Sequence, residues 1–362
     1  MAERGSDRRN NRGGRGAGAG QGSARRDQRA ADAAKHIDEM ERRFAKEIEA
    51  AAAATQVIDG MPEKPAAAAE PAAAETVTAA EAAAGGEAAE AGLAVPAEDG
   101  APAEDAADAA EAAAPAAPTL PAVTVVDQDA VAAILERGRG RAQYTDLAVL
   151  DFASFTSPGG GYDRGAWAQE EALCAESFLF NVLNRNKGWY AENRRRNMNC
   201  NLYRNRGLVV PRVRFARDRV HAYADVIVVA APNAKFAKSE YGVSDEALEA
   251  AMRDRIRFAL RIAESLGHGR VILGAFGCGA FGWDAAVVAP MFLEELSSGA
   301  YDLQEVVFAI PKARYNENLE RFQHVFARFP EANDAPYGVV EEVAPAPAED
   351  AEDEDDWRKY LG

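Results

Sequence analysis

The stretch that decides the fold reads SPGGGYDRGAWAQEE and runs from Ser157 to Glu171. An apolar segment, residues 147–153, leads into it, and an amphipathic helical pattern follows it. Consecutive glycines are costly inside a strand or a helix, at about 0.5–1 kcal/mol each relative to alanine. They suit a turn in which backbone N–H groups converge on an anion. The stretch therefore predicts a strand, a glycine loop and a helix in succession; a surface turn before an acid-rich first helical turn is the plainer alternative.

A polar triplet, Gln169, Glu170 and Glu171, opens the predicted helix. Carboxyl groups beside a donor-rich loop suit the hydrolysis of a phosphate-bearing sugar, because a carboxylic acid must protonate the leaving oxygen of a glycosidic bond. Adjacent residues project about 100° apart on a helix. Glu170 and Glu171 are therefore predicted to have different roles.

A second glycine-rich loop, Gly277 to Gly282, follows the apolar segment 271–276. Its spacing, G-x-G-x-x-G, is also that of a dinucleotide-binding turn, with Asp302 about 20 residues further on. This redox-cofactor alternative is weak, because the loop lies late in the domain and few strands follow it. Ligands of such sheets bind at the carboxyl ends of the strands, so two loops that each follow a strand are expected to face one cleft.

Strand-like and helical segments alternate over residues 119–332. This alternation predicts an α/β domain with three layers, α/β/α, around a mostly parallel mixed sheet. Residues 169–183 are predicted as one helix, because apolar residues recur on one face. Residues 184–206, which are rich in Asn and Arg, are predicted as a long loop.

Both tails of the chain are predicted to be disordered, and they account for its net charge of −17. Residues 1–118 form an Arg/Gly-rich and then Ala/Glu/Pro-rich arm that allows one amphipathic helix over 30–54, and residues 333–362 form an acidic tail. Such compositions bury too little apolar surface to offset the entropy of ordering. Residues 119–332 contain 26 acidic and 26 basic residues, so the predicted domain is neutral and is not a general nucleic-acid binder.

The three cysteines and four histidines have no spacing typical of a disulfide framework or a metal site. No metal and no cofactor are therefore expected. No apolar run of about 18 residues and no secretory signal pattern is present, which leads us to expect a cytoplasmic protein, and nothing indicates more than a monomer. The Arg/Gly-rich N-terminal arm predicts a weak contact with RNA, and a solvated tail is the alternative.

Both glycine loops resemble the ligand loops of poly(ADP-ribose) glycohydrolases of the bacterial, or microbial, type, in the macrodomain superfamily. The segments that carry the resemblance are 149–153, 158–161, 168–171 and 273–282, and it extends over about residues 122–330. It implies a macrodomain fold and hydrolysis of the ribose–ribose O-glycosidic bonds of poly(ADP-ribose), with release of ADP-ribose mainly from chain termini. The alternatives are a mono-ADP-ribosyl hydrolase acting on modified protein or nucleic acid, and a non-catalytic ADP-ribose-binding module.

The resemblance also implies roles for individual residues. Glu171 would be the general acid/base, and Glu170 would hold ribose hydroxyls. The implied substrate contacts lie in the two loops and at the start of the helix: Gly159, Gly160, Gly161, Tyr162, Gln169, Gly277, Gly279, Ala280, Phe281 and Gly282. For Tyr162, packing in the core is an equal alternative. Asp151 stands where the bacterial members commonly have asparagine.

The implied partners are poly(ADP-ribose) or ADP-ribosylated macromolecules. A run of three arginines, residues 194–196, is a candidate contact for the phosphates of a polymeric substrate. A solvated surface is the alternative interpretation of this run.

Overall fold

A seven-stranded sheet lies at the centre of the molecule, in a computed structural model that describes residues 17–64 and 120–338, with side chains from residue 23. Its elements follow in chain order: α1 (Ala17–Ala53), β1 (Gln56–Asp59), β2 (Ala122–Val126), α2 (Ala130–Arg137), β3 (Ala148–Phe152), α3 (Gln169–Ala175), α4 (Leu179–Arg185), α5 (Lys187–Arg196), β4 (Arg206–Arg217), β5 (Val220–Val229), α6 (Ala234–Tyr241), α7 (Asp245–Ser265), β6 (Arg270–Leu273), α8 (Ala285–Ser297), β7 (Glu305–Ala309) and α9 (Asn318–Phe326).

The strand order is β1-β4-β5-β3-β6-β7-β2. Strands β5, β3, β6, β7 and β2 pair in parallel, whereas β4 is antiparallel to both β1 and β5. The predicted mostly parallel mixed sheet is therefore confirmed. β3 lies between β5 and β6, and its near-continuous apolar sequence fits a strand whose two faces are both covered.

Two apolar layers cover the sheet. One contains buried side chains of α1 to α5 and includes Val149 of β3. The other contains buried side chains of α7, α8 and α9 and includes Leu150 of β3. Successive side chains of a strand point to opposite faces, so adjacent residues of β3 enter different layers. These layers confirm the predicted α/β/α arrangement.

The N-terminal part of the described chain corrects the predicted domain boundary at residue 119. Helix α1 is longer than the predicted helix over 30–54, and its Ala33, Ile48 and Ala51 are buried in the first layer. Strand β1 adds to the sheet by antiparallel pairing of Gln56 with Val209. The apolar stripe of α1 had suggested a lone helix, because spacing alone does not show which surface a stripe covers. The rest of the predicted tails, residues 1–16, 65–119 and 339–362, lies outside the described residues.

Two predicted elements between residues 169 and 206 are wrong. The single helix over 169–183 is two helices, α3 and α4. The hydroxyl of Ser177 lies at the break: it donates to the carbonyl oxygen of Leu173 at 2.6 Å and accepts from the N–H of Leu179 at 3.1 Å. The predicted loop over 184–206 contains α5, whose buried aromatic pair, Trp189 and Tyr190, anchors an otherwise polar helix.

The antiparallel side of the sheet contains a paired strand with a proline in it. The sequence predicts an edge strand or a paired extended segment over residues 208–215, which include Pro211. The paired alternative holds for the first residues of β4, which β1 covers, and Pro211 lies at an irregularity of the β4–β5 ladder between Val210 and Val213. A proline lacks the N–H that a regular ladder requires, so it is tolerated at such a bulge. Helix α6, after β5, was not predicted.

Candidate active site

Both glycine loops leave the carboxyl edge of the sheet from neighbouring strands. The first follows β3 and the second follows β6, and these two strands pair in parallel. The rings of Phe152 and Phe276, one at the start of each connection, have centroids 5.5 Å apart. A Cβ on Gly274 would lie 2.9 Å from Cζ of Phe152, so the two connections are in direct contact. Segments more than a hundred residues apart in the chain therefore form one site.

Gln169 fixes the start of α3 against β3. Its Oε1 accepts from the N–H of Phe152 at 2.9 Å, and its Nε2 donates to the carbonyl oxygen of Leu150 at 2.9 Å. The side-chain amide thus hydrogen-bonds β3 in the way a neighbouring strand would. Because these two bonds fix Gln169, they also determine where the next two residues, Glu170 and Glu171, point.

The two glutamates hold the backbone that surrounds the first glycine loop. Glu170 Oε2 accepts from the N–H of Ser154 at 2.7 Å, and Glu171 Oε1 accepts from the N–H of Gly161 at 2.9 Å. Both side chains are buried, with 3% and 6% of their residue surfaces exposed. Gly160 lies between them with φ +62°, and a Cβ there would be 2.5 Å from Glu171 Oε1 and 2.9 Å from Glu170 Oε2. Only glycine fits this approach without displacing the carboxylates.

A third acid, Asp151 of β3, is completely buried behind this pair. Neither of its carboxyl oxygens has a hydrogen-bond partner among the described residues, and neither does Glu170 Oε1. Burial raises the pKa of Asp151 well above its ordinary value, and the nearby Glu171 raises it further. Burial and then Asp151 raise the pKa of Glu170 in the same way, although the N–H of Ser154 partly opposes this. The fold therefore favours protons on Asp151 and Glu170 at pH values at which exposed carboxyl groups are ionised.

A cavity of about 550 Å³ opens beside the loops, within the usual size range of ligand pockets. Five of the predicted contact residues line it: Gln169, Gly277, Gly279, Ala280 and Phe281. The other predicted site residues do not line it: Gly159, Gly160, Gly161, Tyr162, Glu170, Glu171 and Gly282. The cavity thus reaches α3 at Gln169, one residue before the two glutamates.

Three of these seven residues have clear structural surroundings of their own. A Cβ on Gly159, where φ is +60°, would lie 2.5 Å from Cδ2 of Phe180, so this glycine allows the loop to pack on α4. Gly282 lies against Lys235 of α6. The hydroxyl of Tyr162 is 2.9 Å from Nδ1 of His36 on α1, and its ring packs against Phe180. The side chain of Tyr162 thus packs in the core, as the alternative interpretation expected, and its contact with substrate stays a prediction.

The cavity also contains polar residues to which the sequence analysis had assigned no ligand contact. Arg217 of β4 forms a bidentate pair with Asp129 at 3.0 and 2.9 Å, and its Nε lies 2.5 Å from Glu176. Asn316 and Asn318 line the same cavity. Asp129 also caps α2, since its side chain accepts from the N–H of Ala132. No local pattern links these residues, because they come together only in the folded chain.

Helix α1 borders the end of the first glycine loop. Arg26 donates from Nε to the carbonyl oxygen of Arg164 at 2.9 Å, and Arg29 donates in the same way to Gly165 at 2.8 Å. A Cβ on Gly165, where φ is +72°, would lie 2.0 Å from the carbonyl oxygen of Arg26. The backbone of α1 therefore passes directly over this loop.

Among residues 17–64 and 120–338, no group of three or more His, Cys, Asp or Glu side chains is arranged to hold a metal ion. No helix of the same described part is at once long enough and apolar enough to span a membrane.

A three-layer α/β/α fold, with two glycine loops at the ends of adjacent parallel strands, defines a macrodomain-like protein. The sequence model of the microbial-type PARG catalytic domain matches residues 29–218, just over half of the chain. The chain therefore belongs to the microbial-type poly(ADP-ribose) glycohydrolase (PARG) family, a family of glycosidases. The match begins within α1, upstream of the predicted domain boundary, and ends before the second glycine loop.

Solved structures agree with this assignment. The poly(ADP-ribose) glycohydrolase of Thermomonospora curvata is 23% identical, with a TM-score of 0.57, over 82% of this chain and 98% of that protein. The enzyme of Deinococcus radiodurans in complex with ADP-ribose is 31% identical, with a TM-score of 0.50, over 56% of this chain and 82% of that protein. A search among curated proteins found no match.

Proposed function

We propose that this chain hydrolyses the ribose–ribose bonds of poly(ADP-ribose) and releases ADP-ribose, mainly from chain termini, with Glu171 as general acid and base. The observation that carries the proposal is the bond from the N–H of Gly161 to Glu171 Oε1. It ties one carboxylate to the glycine loop that would border the diphosphate. Family membership and the relative from Deinococcus radiodurans in complex with ADP-ribose support the choice of substrate.

The hydrogen bonding of Glu171 suits proton transfer. Its Oε1 takes part in the bond to Gly161, and its Oε2 forms no hydrogen bond with a described residue. Oε2 is thus available to protonate the departing ribose oxygen and then to accept a proton from the attacking water. Glu170, held by Ser154, would bind ribose hydroxyls, and Gln169 would keep both glutamates in register with β3.

The second glycine loop would form the opposite wall of the site. Gly277, Gly279 and Ala280 line the cavity and would lie beside the pyrophosphate, where small residues allow close backbone approach. Phe281 would pack against the ribose next to the scissile bond. A cavity of about 550 Å³ suits a single terminal ADP-ribose unit, which supports cleavage from chain ends.

The test compares the purified full chain with its Glu171→Gln variant on poly(ADP-ribose). We expect the wild type to release ADP-ribose and the variant to lose about 10²–10⁴-fold in kcat, the usual contribution of a general acid and base. The affinity for ADP-ribose should remain, because the variant keeps the shape of the side chain. Glu249→Gln, exposed on α7, is the matched control and should behave as the wild type does.

Three outcomes would contradict the proposal in different ways. Equal release of ADP-ribose by the wild type and Glu171→Gln would show that Glu171 is not the general acid and base. Binding of ADP-ribose without release by either protein would indicate a binding module. Release from singly modified protein alone, with the polymer untouched, would indicate a mono-ADP-ribosyl hydrolase.

A further inference from the structure

Four exposed arginines cluster at the carboxyl end of α5. Arg194, Arg195 and Arg196 form its last turn, and the N–H of Arg204 donates to the carbonyl oxygen of Asn197 at 3.1 Å, which places Arg204 beside the helix end. We call these four residues the arginine patch. None of them forms an ion pair with another residue in the described part of the chain.

The arginine patch is tied to the segment that leads into the first glycine loop. Nδ2 of Asn193 donates to the carbonyl oxygen of Phe155 at 3.0 Å, and Arg194 donates to that of Thr156. At the other end of this segment, the N–H of Ser154 donates to Glu170. Successive Cα atoms are 3.8 Å apart, so the backbone from Ser154 to Thr156 spans at most about 7 Å. The patch is therefore joined to the backbone that holds Glu170 through only three residues, 154–156.

The patch lies outside the cavity. Neither its four arginines nor residues 154–156 belong to the cavity lining. A terminal ADP-ribose that fills the cavity would leave the next unit of the polymer outside it, on the far side of the scissile bond. Each unit carries a pyrophosphate, and a guanidinium group binds phosphate oxygens through paired hydrogen bonds.

We propose that the arginine patch binds the pyrophosphate of the polymer unit that follows the scissile bond, an inference that rests on the proposed function. Residues 119–332 are neutral overall, so unpaired arginines here do not reflect a generally basic domain. Arginines in the last turn also complement the dipole of a helix. That role covers residues 194–196 but not Arg204, which lies beyond the helix end.

The experiment uses the full chain with Arg195→Glu and Arg196→Glu combined, and it keeps Arg194 because that side chain contacts Thr156. The control combines Arg42→Glu and Lys46→Glu, exposed on α1, which change the net charge by the same amount. We expect the KM for poly(ADP-ribose) to rise about three- to ten-fold in the first variant only. Its kcat and its Kd for free ADP-ribose should stay at the wild-type values.

The dependence of polymer affinity on salt concentration is a second measurement of the arginine patch. Each phosphate contact on a single-stranded polyanion contributes about 0.7 to the slope of log affinity against log salt, so losing two contacts should reduce that slope by about 1.4. Equilibrium binding of the polymer to Glu171→Gln, with and without the patch substitutions, needs no turnover. It therefore tests the patch even if the wild type fails to cleave.

Three results would overturn the assignment. In the first, polymer KM and binding change no more than in the α1 control. In the second, the affinity for free ADP-ribose falls by the same factor as that for the polymer, which would place the effect in the cavity. In the third, the patch variant binds the polymer more tightly. That result would indicate that the arginines bind an acidic segment of the chain itself and not the polymer.

Discussion

The single residue Asp151 makes the stability of the folded protein depend on pH. Burial raises its pKa above the ordinary value, so folding takes up a proton there. The contribution of the protonated side chain to the free energy of unfolding is complete below the unfolded pKa of about 3.9. It is lost as the pH rises through the folded pKa. Asp151 lies outside the cavity lining, so its charge is expected to act on stability and on Glu170 more than on ligand contact.

Replacement of Asp151 by Asn should therefore stabilise the protein at neutral pH, and the gain should shrink as the pH falls toward about 4. The measurement is denaturant unfolding of the wild type and the variant across that range. Asp218→Asn, exposed in the turn between β4 and β5, is the control and should show no such trend. A stability difference that is the same at every pH would argue against a raised pKa at Asp151.

A side chain at position 160 would disturb both glutamates. Gly160→Ala would place a Cβ within 3 Å of both glutamate carboxylates and would strain a left-handed backbone, at about 1–2 kcal/mol. We expect kcat to fall at least about ten-fold, because displacing a positioned catalytic group by even 1 Å is costly. Gly188→Ala is the matched control, since nothing lies within 4 Å of its added Cβ inside α5. That variant should keep full activity, and equal loss in both would contradict the role of Gly160.

At the scale of elements, α1 holds the first glycine loop through the pair Tyr162 and His36. Burial lowers the pKa of His36, so the stabilisation of its neutral form is complete above about 6.5 and is lost as the pH falls through the folded pKa. Below that pH a charged imidazole must share a half-buried site with Tyr162, which loosens the contact between helix and loop.

The contact between Tyr162 and His36 should couple the stability of α1 to that of the first glycine loop. Tyr162→Phe and His36→Phe should each cost about 0.5–1.5 kcal/mol in unfolding free energy, and the double variant should cost less than their sum. Chemical denaturation of the four proteins at neutral pH measures this coupling. It should weaken on acidification, and additive effects at neutral pH would show that the 2.9 Å contact contributes nothing.

At the scale of the whole molecule, the folded unit includes segments that the sequence suggested were outside it. A fragment of residues 119–332 lacks α1 and β1. It therefore exposes the apolar side chains against which Ile48 packs, and it leaves the edge of β4 unpaired. We expect this fragment to unfold at a lower temperature than the full chain and to aggregate, because unpaired strand edges associate. Thermal unfolding and light scattering measure both effects, with a fragment of residues 17–338 as the control. A fragment 119–332 as stable as the full chain would restore the original boundary.

Much of the fold and part of the cavity lining could be predicted because their signals are local. The apolar segments identified β3 and β6, and the glycine loops indicated backbone conformations that other residues avoid. Gln169, Glu170 and Glu171 were predicted as site residues for the same reason, since their positions depend on a helix that begins next to a strand.

Local patterns in the chain were thus enough to predict the layers, the two loops and the position of the acids. The folded chain was needed to show that α1 covers the loop, that Tyr162 contacts His36, and that Arg217 pairs with Asp129 in the cavity. These contacts join residues 88 to 138 positions apart. An apolar stripe or a charged side chain has the same local pattern whichever distant partner it meets, so the choice of partner depends on how the whole sheet packs.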